Sequence, residues 1–107
     1  MAWFDAFGVD ELAVEEVRGL SLGGVPIAVF RLDDGFHALH DICPHGQARF
    51  SEGYVEDPCV ECPLHQGLVN IRTGAAAAAP ISTPTKTYRV RIVAERVEVE
   101  VEVEVDA

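Results

Sequence analysis

Two short clusters of metal-binding side chains, Cys43-Pro44-His45 and Cys62-Pro63-Leu64-His65, constrain this chain more than any other feature. Each supplies one thiolate and one imidazole, and sixteen residues separate them. A single centre held by both requires two tight loops to meet, and the gap is long enough for a short hairpin between them. Pro44 and Pro63 fix φ just after each cysteine and remove a backbone donor. Gly46 and Gly67 follow where the chain must turn sharply. Two chemistries suit two Cys and two His. A [2Fe–2S] cluster takes both thiolates on one iron and both imidazoles on the other. A structural zinc ion takes four such ligands tetrahedrally.

A third cysteine, Cys59, creates a Cys59-x-x-Cys62 spacing common in zinc ribbons and redox dithiols. A zinc site could draw on Cys59, Cys62, His65 and one of Cys43 or His45. Against it, the chain has no second Cys-x-x-Cys, and the two loops already offer a matched set without Cys59. Cys59 then reads as a small, half-buried strand residue beside the site. His37 and His40 precede the first loop, and strand alternation puts them on opposite faces, as flank residues rather than ligands.

The whole pattern, with its prolines and glycines, resembles the signature of Rieske proteins. The resemblance implies that Cys43 and Cys62 ligate an inner iron, and His45 and His65 an outer, more exposed one. Two ferric ions, two sulfides, two thiolates and neutral imidazoles sum to zero, and one-electron reduction gives minus one. An all-thiolate cluster would be two charges more negative in each state, so imidazole ligation raises the potential. High-potential respiratory Rieske proteins add a disulfide between the loops, but Ala48 and Leu64 stand at the matching positions here. They also place a Ser and a Tyr past the second loop, where this chain has Gly67 and Val69. Fewer hydrogen bonds to sulfur leave the reduced state less stabilised, so a low potential is expected, roughly −150 mV.

The strands follow from periodicity. Residues 14–22 read as a partly alternating strand, and Gly23-Gly24 as a hairpin turn. Residues 25–32 are almost continuously apolar, with Pro26 near the start, where a missing donor is tolerable. Asp33-Asp34-Gly35 turns the chain into residues 36–40, which lead to the first loop. A short strand at 59–62 enters the second loop and 67–72 leaves it. Five alanines at 75–79 favour helix, but Gly74 before them and Pro80 and Pro84 after argue for a loop or short strand over the site. Residues 87–93 form another strand. From Val97 to Val105, valine alternates with acid, giving one apolar and one acidic face; the acids discourage pairing with other chains. The tail is expected to outrun its partner strand and fray. Seven or so strands without a helix argue an all-β sandwich or barrel.

The Rieske resemblance refines this to three antiparallel sheets in one domain, residues 1–107. Its base is built from both chain ends, and a cluster-binding subdomain of about residues 40–72 is inserted. A proline-containing third loop, residues 80–84 here, would shield the cluster.

The chain's 107 residues, 49% of them hydrophobic, suffice for one core without disulfide support. No apolar run is long enough to span a bilayer, and the start, Met1-Ala2-Trp3-Phe4-Asp5, lacks signal-peptide character. A cytoplasmic location is expected. With 8 basic and 18 acidic residues the formal charge is −10. Nucleic acid and anionic membranes are repelled, whereas a basic partner is attracted in a salt-dependent way.

A small domain lacking the disulfide pair resembles the ferredoxin component of bacterial ring-hydroxylating oxygenase systems. That resemblance implies an electron carrier, not an enzyme. It would move single electrons from a flavin-dependent reductase to a terminal oxygenase through transient contacts. A small Rieske-like subunit of another reductase, such as nitrite reductase, and a zinc-stabilised interaction module are the competing readings.

Overall fold

The computed structural model describes residues 2–43, 48–64, 66–79 and 81–102. Within them the chain forms eleven strands in three antiparallel sheets. The central sheet grows from one meander: β2 (Val17–Leu22), β3 (Val25–Leu32) and β4 (Gly35–His40), joined at its far edge by β9 (Thr87–Tyr88). Gly23 and Gly24 sit at φ +60° and +82° between paired Leu22 and Val25. This is the doubly left-handed two-residue turn that matches strand twist. The expected strand at 14–22 starts only at Val17, because Glu15 turns out at φ +68° and its N–H donates to the Arg31 carbonyl.

Strand β3 explains its own almost continuous apolar run, broken only by Arg31. Ile27 and Val29 face one buried cluster, while Ala28, Phe30 and Leu32 face another. The central sheet is therefore covered on both sides, and a strand buried on both faces needs no polar alternation. The first cover is a sheet of both chain ends: β1 (Ala2–Gly8), β11 (Arg96–Val101) and β10 (Val90–Val93), in the order β1-β11-β10. Val97, Val99 and Val101 are buried, as their alternation demands. The register pairs Ala2 with Val101, and the tail from residue 103, expected to fray, lies outside the described residues.

The second cover is a sheet of three-residue strands: β5 (Tyr54–Glu56), β6 (Cys59–Glu61), β7 (Leu68–Asn70) and β8 (Ala76–Ala78). The alanine run does form a short strand. It pairs with β7, and Asn70 N–H to the Ala75 carbonyl closes the connecting turn. The residues read as one strand at 87–93 divide at Arg89: β9 pairs with β4, whereas β10 pairs with β11. One segment thus serves two sheets. Arg72 ties the third sheet to the central one. Its guanidinium donates to Asp34 at 2.8 and 3.0 Å and to Asp57 at 2.8 and 3.3 Å. These hydrogen bonds hold both carboxyls below the usual carboxylate range and push the guanidinium up. Among the described residues no helix is long and apolar enough to cross a membrane.

Candidate metal centre

Both cysteine loops are hairpin tips of the same construction. Ile42 bridges to Arg49 ahead of the first, and Glu61 pairs with Leu68 ahead of the second. Each cysteine is the first tip residue, and its N–H donates five residues on: Cys43 to the Ala48 carbonyl and Cys62 to the Gly67 carbonyl, both at 2.8 Å. Gln66 N–H also donates to the Cys62 carbonyl at 3.0 Å, with Gln66 at φ +59°. The chain thus builds two equivalent cradles from separate segments.

The two cradles converge. Cys43 and Cys62 are 1% and 0% exposed and belong to one apolar cluster with Ala48, Phe50, Val60, Val69 and Ile81. Two bare thiolates buried together would be strongly disfavoured, whereas a dicationic inorganic core balances them. The pair therefore fits the inner half of a [2Fe–2S] centre. The other two expected ligands, His45 and His65, lie outside the described residues, as do Pro44, Gly46, Gln47 and Pro80.

The third loop anchors on the second. Ile81 is buried, and a Cβ added at Gly67 would stand 2.7 Å from its Cγ1 and 3.0 Å from its Cδ1. Gly67 is needed for this close approach, so the position that carries serine in the high-potential pattern has no room for one. Val69 is buried and pairs with Val60. At the disulfide positions Ala48 is buried, while Leu64 is 61% exposed beside exposed Pro63.

The remaining candidates sit elsewhere. Cys59 lies on β6 next to buried Val60, hence on the opposite face of the sheet, where it lines a groove of about 300 Å³ with Tyr54 and Leu68. Burial, with a smaller push from Asp57, raises its thiol pKa and keeps it protonated. Among the described residues no three Cys, His, Asp or Glu side chains gather to hold an ion. His37 contacts Asp34 at 2.9 Å, and His40 Nδ1 lies 3.4 Å from the Tyr88 hydroxyl. Sequence reasoning missed Asp41 and Ser51, which brace the first loop: Ser51 N–H and O–H each donate to the Asp41 carboxylate at 2.8 Å. The available hint was spacing, since Leu39, Asp41 and Cys43 recur at period two on an inward face.

Comparison with known proteins agrees with this geometry. Residues 2–89 match the Rieske [2Fe–2S] domain family. The anthranilate 1,2-dioxygenase ferredoxin subunit of Burkholderia cepacia is 56% identical over 82 residues, 77% of this chain and 76% of that one. The ferredoxin component of the naphthalene 1,2-dioxygenase system of Pseudomonas putida is 35% identical over 80 residues, 75% of this chain and 77% of its own. Among solved structures, a chain in the complex of reduced oxygenase and oxidised ferredoxin in carbazole 1,9a-dioxygenase superposes with a TM-score of 0.89. It is 31% identical and covers 97% of each chain. Paired hairpin tips, two buried thiols, three antiparallel sheets and these similarities lead to one conclusion: the chain belongs to the Rieske [2Fe–2S] domain family.

Proposed function

We propose that this chain is the ferredoxin of an aromatic ring-hydroxylating dioxygenase system, a one-electron carrier that transforms no organic substrate itself. The observation that carries the reading is the convergence of two matched cysteine tips in one buried cluster, in a chain 56% identical to a dioxygenase ferredoxin. Cys43, Cys62, His45 and His65 are the residues that hold the cluster. When bound, the cluster supplies one-electron redox chemistry. The protein's own part is to bury Cys43 and Cys62 in one apolar cluster with Ile81 and Phe50. Pro63 and Leu64, just after Cys62, are exposed, a small apolar contact suited to a brief encounter.

The reading extends to the partners. A flavin-dependent reductase donates and a terminal oxygenase accepts, each by transient docking that the formal charge of −10 steers toward basic surfaces. The compartment is cytoplasmic. With Gly67 and Val69 offering no hydroxyl to sulfur, the potential falls at the low end of the Rieske range, roughly −150 mV.

Elemental analysis and EPR test this directly. Protein purified without air should hold two irons and two acid-labile sulfides and give a Rieske spectrum after dithionite reduction. Cys43→Ala, Cys62→Ala, His45→Ala and His65→Ala should each abolish that spectrum. A colourless protein carrying one zinc would overturn the proposal.

A further inference from the structure

Asp41 is a buried carboxylate held between the first loop and the central sheet. It is 1% exposed. Its N–H donates to the Pro26 carbonyl at 3.0 Å and its carbonyl accepts from Phe50 N–H at 2.8 Å. Its side chain takes both Ser51 donors at 2.8 Å and the Arg49 guanidinium at 3.4 Å. Three donors point at its two oxygens, so the carboxylate is held wholly as an acceptor. Gly19 of β2 lies against this group: a Cβ there would stand 2.6 Å from Ser51 Oγ and 3.0 Å from Asp41 Oδ2. Strand β2 thus closes tightly over one side of the clamp.

Its place relative to the centre follows from the backbone. Asp41 precedes Cys43 by two residues, so their Cα atoms lie within about 7 Å of each other. Burial alternates from Asp41 through Ile42 to Cys43, so the two side chains share a face. An anion so near acts through protein rather than water and is weakly screened. The oxidised centre with its thiolates is neutral and the reduced one is minus one, so a fixed anion disfavours only the reduced state. The counter-charge, Arg49, is half exposed, with 51% of its side chain in solvent, and only partly offsets the carboxylate.

We propose that Asp41 is a positioning residue for the redox centre. It locks the exit of the first cysteine loop to its entry, and its charge holds the reduction potential down. The inference rests on the ferredoxin reading above. It adds an electrostatic cause of low potential that is separate from the missing hydroxyls at positions 67 and 69.

Redox titration of two variants tests it, alongside EPR of the same samples. Asp41→Asn keeps the shape and can still accept from Ser51 N–H, but loses the charge. At a fixed solution potential its reduced-to-oxidised ratio should rise about tenfold over wild type. Arg49→Gln removes the counter-charge at an exposed position, and its ratio should fall, by less than that, with unchanged g-values. An intact Asp41→Asn cluster with a potential at or below wild type overturns the proposal. So does an Arg49→Gln potential that stays put or rises, and that variant decides the matter if Asp41→Asn loses its cluster. A wild-type protein without iron and sulfide would instead overturn the ferredoxin reading.

Discussion

The two covers of the central sheet are built on different principles. On one side, β1 and β11 are seven and six residues long and pair over nearly their full length. They bury Phe7, Val97, Val99 and Val101 against Ile27 and Val29. On the other, four strands of three residues each carry the second cysteine loop. Long apolar strands make a base that stands on ordinary hydrophobic burial. The short ones cannot do so alone. They rely on loop packing, the Arg72 ties and the metal centre itself. A site that must exchange electrons at a surface is thus carried by the less self-sufficient half of the protein.

The largest loss of stability is expected in the base. Phe7 is 2% exposed and packs edge-on to Phe36, so Phe7→Ala should cost about 3–5 kcal/mol. Chemical denaturation followed by circular dichroism and by cluster absorbance should show both signals lost together, because the base supports the rest. Next, Gly67→Ala drives a methyl into Ile81 and should cost about 1–3 kcal/mol. Here cluster absorbance should bleach before the base unfolds; coincident transitions would show that the two halves are not separable.

Acid sharpens the same division. Asp34 and Asp57 have folded pKa values below their unfolded ones, chiefly through hydrogen bonds from Arg72. Their contribution is fully present above the ordinary carboxylate value of about 4, and is lost as pH falls from there through the folded values. Arg72→Met should remove this part of the acid sensitivity; apoprotein melts between pH 3 and 7 would reveal it as a flatter curve. The smallest effect lies at the turn between β10 and β11, where Ala94 and Glu95 sit at φ +49° and +64°. Ala94→Gly should relieve that strain and raise the melting temperature slightly, by about 0.5–1 kcal/mol in stability.

How much of this could be read beforehand depends on how regular each element is. Strand β3 was legible to the residue, and the valines of β11 faced inward as their period required. Strand β1 was expected only through the resemblance that puts both chain ends in the base, not from its own sequence. Its sequence does not alternate because a register shift between Asp5 and Phe7 breaks the period. The division at Arg89 was equally hidden, since a chain passing from one sheet to another keeps its β-forming residues. At the centre, the meeting of Cys43 and Cys62 in one buried cluster was legible from the motif's two matched loops. The Asp41–Ser51 brace was not, because a carboxylate ten residues from its hydroxyl partner carries no local pattern.

The pairing of β1 with β11 joins segments some ninety residues apart, as the bidentate contact of Arg96 with Asp5 illustrates. Such long-range closure is slow. During synthesis the first strand must wait, unpartnered, until some ninety further residues have left the ribosome. By then both cysteine tips have already emerged, so iron and sulfide can reach them before the last seam of the molecule is sewn.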